Sequence, residues 1–195
     1  RRRASPFPAA DWAAPLAAAV VALVMYGRSI GFAFVWDDLD LIVRHADLQG
    51  PMWAQSLTRD FWSATGGGTG MWRPLVTFSY RIDGVLSGWT PAWFHAVNVL
   101  GFALAAALIA RLAQRRGASL TLAALAGACF ACAPSQAEAV AWVAGRTDVF
   151  VAVGTLLALL GAGEARRGAP RRGLAAVVLG TSVALLAKET AVVVP

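Results

Sequence analysis

The feature that most constrains this chain is a set of five windows without a charged residue, at 12–27, 84–110, 117–137, 149–163 and 173–187. A helix rises about 1.5 Å per residue and a bilayer's hydrocarbon core is about 30 Å thick. The second and third windows are long enough to cross unaided. The fourth and fifth, at 15 residues each, cross only if their helices extend past Asp148 and Lys188. That carries ionisable groups to membrane depth or close to it. The first window is expected to reach about Gly31, with Arg28 snorkelling to the interface. Because 58% of the 195 residues are hydrophobic and only 14% charged, a soluble domain could not hide the apolar surface. The expectation is an all-α, polytopic membrane helix bundle of about five transmembrane helices. It forms a single domain over 1–195, with a long first outer loop at about 33–91 that contains juxtamembrane amphipathic helices. The chain starts at Arg1 and stops at Pro195 inside an apolar run, which reads as a fragment incomplete at its C-terminal side.

The net charge of +6 excludes little by itself, but its distribution does. Arg1–Arg3, then Arg111, Arg115 and Arg116, then Arg166, Arg167, Arg171 and Arg172 each sit at the end of an apolar segment. A nucleic-acid binder spreads basic residues over one soluble face; this punctuated pattern follows the positive-inside rule. With the N-terminus in the cytoplasm, segments 1–11, 111–116 and 164–172 hold ten of the 17 basic residues and two of the 11 acids. The expected partner is a lipid bilayer and not a nucleic acid. The expected location is the cell inner membrane, multi-pass, with the active face extracytoplasmic.

Most of the remaining charge falls on that outer side. The stretches LDLIVRHADL and PMWAQSLTRDFWSA read as short amphipathic helices on the membrane surface. Six of the eight tryptophans lie between Trp36 and Trp93, as an interfacial belt or as stacking platforms for a sugar or lipid carrier. GGGTG at 66–70 lacks the Lys-Ser/Thr of a phosphate loop. Asp37 and Asp38 follow the first span directly; two adjacent carboxylates at an interface repel, which raises the pKa of one of them. That suits a general base or a metal ligand, and equally a helix-end cap. Between the third and fourth spans, Glu138, Arg146 and Asp148 stand in apolar surroundings. Arg146 suits a forked grip on phosphate, or an ion pair with Glu138 or Asp148. Lys188, the only lysine, precedes Glu189 at the outer end of the last window, and fits either a lipid-linked phosphate or the interface. Arg73 in WRPL is a further phosphate candidate, and Pro74 is placed to open a helix. His95 and Asn98, at i and i+3, fit hydrogen bonds to neighbouring helices better than a metal. Cys129 and Cys132 read as small buried residues without a disulfide.

VWDD at 35–38, WRPL at 72–75, FHAVNVL at 94–100, APSQAEAVAWVAGRTDVF at 133–150 and LAKETAVVVP at 186–195 occur in a characteristic order. In this ordered set the chain resembles the transmembrane and tetratricopeptide-repeat O-mannosyltransferases and their bacterial relatives, within the C-type superfamily of integral-membrane glycosyltransferases. The resemblance implies a polyprenyl-phosphate-linked sugar as donor and inversion at the anomeric carbon. Asp37 matches the acidic position that acts as base, with Asp38 beside it. Glu138, Arg146 and Asp148 match the E-A-V-A-x-x-x-G-R-x-D element, and Lys188 and Glu189 a K-E element on a later helix. The chain departs from the family at Ala133, where His-Pro is common, and after Asn98, where a histidine is common. No tetratricopeptide repeat lies within these residues.

The implied reaction moves a hexose, mannose first, to a hydroxyl of an extracytoplasmic acceptor, protein or glycan. Asp37 is the base, and Arg146, Lys188 and Arg73 hold the donor phosphate. Glu138, Asp148, Glu189, His95 and Asn98 support them, and a divalent metal ion at Asp37 and Asp38 stays open. The rival expectation is a non-enzymatic transporter or envelope scaffold. Transporters keep ionisable groups near the midplane and show inverted repeats; this chain has its clusters near one interface.

Overall fold

A computed structural model describes residues 12–51, 53–66 and 68–193. Arg1–Arg3 lie outside the described residues. Among those described there is no strand, and the architecture is a helix bundle. Four helices are long and apolar enough to cross a membrane, at Ala13–Gly31, Pro91–Arg115, Val143–Arg166 and Pro170–Ala187. A fifth crossing is available only as a bent pair. The chain is a multi-pass membrane protein.

Helix α1 (Ala13–Tyr26) shows why the packing works. Ala14, Ala18 and Ala22, four apart, are buried, while Leu16, Val20 and Val24 are exposed. A stripe of methyl groups lets the neighbouring backbones approach, and the large aliphatic side chains face lipid. Tyr26 closes the stripe edge-on against Phe102, with centroids 5.2 Å apart. The first span ends in a 3₁₀ turn at Gly27–Gly31.

The outer loop is built from short pieces: one π-turn at Leu39–Val43, α2 (Ala46–Gln49) and α3 (Gln55–Thr58), then the longer α4 (Pro74–Ser87). Pro74 opens α4, as expected. Gly88 ends it in the left-handed conformation (φ 62°), and Trp89 follows at φ 64°. This corrects the window 84–110. Residues 84–87 belong to a separate helix, and the second span is α5 (Pro91–Arg115), restarted by Pro91. Counting charges cannot see that break, but the Gly88…Pro91 punctuation states it.

The third window is also interrupted. Helix α6 (Leu120–Cys132) starts on a Ser119 cap, whose Oγ accepts from Leu122 N at 3.3 Å. Pro134 then denies the helix a continuing N–H, and the chain bends by 57° into a short turn and α7 (Ala137–Ala141). Helix α8 (Arg146–Arg166) does extend past Asp148, which lies in its first turn. Helix α9 (Pro170–Ala187) does not extend past Lys188, whose backbone is extended at φ −161°. It gains its length at the other end, through Arg171 and Arg172. Helices α8 and α9 pack glycine to backbone. A Cβ on Gly154 would lie 2.5 Å from Gly180 O, and one on Gly173 would lie 2.6 Å from Gly161 O.

Candidate active site

The outer loop, the α6–α7 bend and the residues after α9 converge at one end of the bundle. They enclose a cavity of about 460 Å³ lined by Asp37, Arg73, Glu138, Asp148 and Lys188, with Phe61, Trp62 and Trp142 as aromatic wall. That volume is in the range of small-ligand sites, roughly 300–1,000 Å³.

Asp37 is aimed by a strained turn. The chain leaves the first span extended, and Trp36 then takes φ 48°. A non-glycine residue there costs about 1–2 kcal/mol, and the surroundings hold it. The Trp36 ring lies edge-on to Trp142, with centroids 6.0 Å apart. Asp38 ties the turn: its N–H donates to Val35 O (3.0 Å) while its Oδ2 accepts from Val35 N (3.2 Å). Its Oδ1 accepts from Ala144 N at 2.9 Å. Asp38 is therefore fully buried and turned away from the cavity. Burial pushes its carboxyl up to about 6, against the lowering by the amide hydrogen bonds, with Asp37 adding a further push. Of the adjacent pair, Asp37 alone lines the cavity.

The two cations in the cavity wall each hold a carboxylate. Lys188 Nζ lies 2.7 Å from Asp148 Oδ1. Arg73 grips Glu189 with two edges, Nη2 to Oε1 at 2.6 Å and Nε to Oε2 at 3.0 Å. That grip holds Glu189 below the usual carboxylate range. The Arg73 guanidinium also sits over Phe61, 4.9 Å from its centroid. The adjacent Lys188 and Glu189 thus reach different partners and pin the chain after α9 over the cavity. Glu138 lines the same cavity, exposed, with no ion pair among the described residues.

Arg146 lies elsewhere. It is fully buried beneath the cavity, and every edge of its guanidinium is used. Nη1 meets Asp83 Oδ2 (2.5 Å) and Ser79 Oγ (3.0 Å), Nε meets Asn98 Oδ1 (2.8 Å), and Nη2 meets Phe94 O (2.9 Å). Its central carbon Cζ lies 4.8 Å from the Tyr80 ring centroid. This differs from the expected phosphate grip, and from pairing with Glu138 or Asp148. Asp83 is buried whereas Glu138 and Asp148 are exposed, and a buried guanidinium takes the buried carboxylate. Burial raises the Asp83 carboxyl, opposed by the attraction of Arg146. Asn98 also donates to Trp142 O at 2.9 Å, and Tyr80 donates to Val143 O at 3.2 Å. The network thereby fixes the turn that carries Trp142 and Ala144. His95 is buried edge-on to Phe32, centroids 6.2 Å apart, and does not line the cavity.

Ser79, Tyr80 and Asp83 were not singled out from the sequence. The available signal was their spacing on α4: Asp83 is i+4 from Ser79 and i+3 from Tyr80, which makes it the neighbour of both on the helix surface. No group of three or more His, Cys, Asp or Glu among the described residues is placed to hold a metal ion. Cys129 and Cys132 are free thiols, exposed rather than buried.

Fold and site define a polytopic α-helical membrane protein with a cleft of carboxylates and cations at one end. In sequence the chain is TMTC-like, similar to the protein O-mannosyl-transferases of that name. It is 38% identical over 183 residues to the protein O-mannosyl-transferase Tmtc2 of Drosophila melanogaster, covering 88% of this chain and 20% of that protein. Against Tmtc1 of the same fly it is 34% identical over 187 residues, 93% of this chain and 22% of the relative. Against human TMTC4 it is 34% identical over 211 aligned residues, 93% of this chain and 28% of the relative. The chain thus spans 20–28% of the length of these curated relatives. No protein-family model and no solved structure matches it.

Proposed function

We propose that this chain carries the catalytic face of an inverting membrane glycosyltransferase. It moves a hexose, mannose first, from a polyprenyl-phosphate donor to a hydroxyl of an extracytoplasmic acceptor, protein or glycan. The observation that carries the reading is the cavity itself. It brings Asp37, Arg73 and Lys188 together from three distant segments, in a chain related to proteins named O-mannosyl-transferases.

In this reading Asp37 takes the proton of the acceptor hydroxyl as its oxygen attacks the anomeric carbon from the face opposite the phosphate. The bond from that carbon to the phosphate oxygen breaks, and the lipid phosphate leaves with the electron pair. Lys188 and Arg73 balance its charge by turning from Asp148 and Glu189 toward the phosphate. Trp62 and Trp142 give the sugar ring an apolar wall. Glu138 supplies an acceptor oxygen at the opening. Asp38, Arg146, Asn98 and His95 position the turns beneath and touch neither substrate. A phosphate leaving group needs little protonation, so one base and a cationic pair suffice. The N-terminus lies in the cytoplasm and the cavity opens on the outer face of the inner membrane.

The test is transfer from a polyprenyl-phosphate mannose to peptide or glycan acceptors by the intact protein in proteoliposomes, wild type against Asp37→Asn. The reading expects transfer by the wild type and loss in the variant. Wild-type turnover in a folded variant overturns the role of Asp37. Transport without transfer favours the rival reading.

A further inference from the structure

We propose a second site, for the phosphate headgroup of an anionic phospholipid, at the end of the bundle opposite the cavity. Helices α5 and α8 both run away from the cavity and end together. Between their last turns lies a cleft of about 290 Å³ lined by Arg115, Arg116, Arg166 and Arg167 above Leu112 and Leu159.

The arginines have unequal jobs. Arg115 pairs with Glu164 across the helix ends at 3.0 Å. Arg167 lies back over Gly163, where a Cβ would come 3.3 Å from its Nη1, and donates to the carbonyl of Arg115. These two tie the helix ends and answer the partial negative charge of their carbonyls. Arg116 and Arg166 are exposed and form no ion pair among the described residues. Among the described residues the cleft therefore keeps a cationic surplus, carried by Arg116 and Arg166, which face into it with no carboxylate paired to either. Forked guanidinium edges match a phosphodiester's paired oxygens.

Two observations select a lipid over a soluble phosphate. The inner wall is leucine, continuous with spans whose outer faces are aliphatic. The cleft also sits at the end of two membrane-spanning helices, at headgroup level. Its volume suits a phosphoglycerol headgroup, with the acyl chains outside along the helices. The site is independent of the reaction assigned to the cavity.

The test is native mass spectrometry of the intact protein in an uncharged detergent, which removes the membrane's own surface charge. Phosphatidylglycerol and phosphatidylcholine with the same acyl chains are titrated in turn. The expected result is preferential retention of phosphatidylglycerol. In Arg116→Gln/Arg166→Gln its affinity should fall about 25-fold, at roughly fivefold per arginine. Arg171→Gln/Arg172→Gln removes the same charge from the neighbouring turn, and should leave affinity within about threefold. Equal losses in the two double variants would show diffuse attraction and overturn the site, as would equal retention of both lipids. Excess glycerol phosphate should not displace the lipid; displacement would overturn the lipid assignment in favour of a soluble phosphate. Because Arg116 and Arg166 are exposed, both double variants should unfold at the wild-type temperature.

Discussion

The network under the cavity and the ion pairs around its rim use the same residue types and work differently. Arg146 and Asp83 have side chains 0% and 6% exposed and share their bonds with Ser79, Asn98 and a backbone carbonyl. Arg73–Glu189 and Lys188–Asp148 each leave the carboxylate half exposed. In the interior a guanidinium is committed, because any partner that it drops stays buried without compensation. At the rim water compensates, so a cation can exchange a carboxylate for a phosphate at little cost. On the proposed function, burial decides which arginine is free to meet the donor phosphate.

The largest effect expected from this contrast is at Arg146. Arg146→Met strands Asp83, Ser79, Asn98 and the carbonyl of Phe94, and should cost about 3–5 kcal/mol of stability. Thermal unfolding in detergent measures it. Adding Asp83→Leu should recover much of the loss, since both charges are then gone. An Arg146→Met protein that unfolds normally and only loses donor binding would break the distinction and return Arg146 to the phosphate. Next is Asp37→Asn, which should lower transfer roughly 10²- to 10⁴-fold. Its unfolding should stay within about 0.5 kcal/mol of wild type, as for a substitution outside the buried network.

Much of the fold is legible in the sequence, because the spans are written in a local code. Alanines four apart on α1, glycines on α8 and α9, and prolines at 74, 91 and 170 are features of neighbouring residues. The errors came from counting charges alone, which ran a span through Gly88 and Trp89 and overlooked the bend that Pro134 imposes. The site divides along the same line. Asp37, Arg73, Glu138, Asp148 and Lys188 are conspicuous as charges beside apolar runs, and the cavity gathers them. The partner of Arg146 is not legible, because Asp83 lies 63 positions away on a helix of the outer loop whose last turn runs into the charge-free window. Apart from the resemblance, which puts the base at Asp37, nothing in the sequence separates it from Asp38. The difference is the turn at Trp36, which sends one carboxylate to the cavity and the other to Ala144 N.

At the rim the effects are smaller and fall on binding. Lys188→Gln and Arg73→Gln should each raise the apparent KM for a polyprenyl-phosphate donor about tenfold, the loss of one charge-assisted phosphate contact. Each should change stability by less than about 1 kcal/mol, because the pairs are partly exposed. The two can be told apart by what they release. Glu189 owes its lowered pKa first to the hydrogen bonds from Arg73, so Arg73→Gln should bring that carboxyl back toward its ordinary range. An unchanged KM in both variants, with folding intact, would leave the cavity without a phosphate-binding cation.

Asp38 offers the finest test, because it is buried like Arg146 but adjoins Asp37. Its carboxyl rises from 3.8 to about 6 chiefly through burial, partly offset by the amides of Val35 and Ala144. The folded protein thus holds that proton more tightly than the unfolded chain. Its stabilising contribution is fully present below about pH 4 and is lost as the pH rises toward 6. Above that, the fold carries an ionised buried carboxylate. Asparagine at this position does not titrate. It can still accept from Ala144 N, while its amide opposes the N–H of Val35. Asp38→Asn should therefore be the less stable protein at about pH 4 and gain on wild type by about 2 kcal/mol by about pH 7. Unfolding temperatures of the two proteins across that range measure the gap. A gap that does not change with pH would mean that Asp38 is not the buried titrating member of the pair, and the division of roles between Asp37 and Asp38 would have to be reversed.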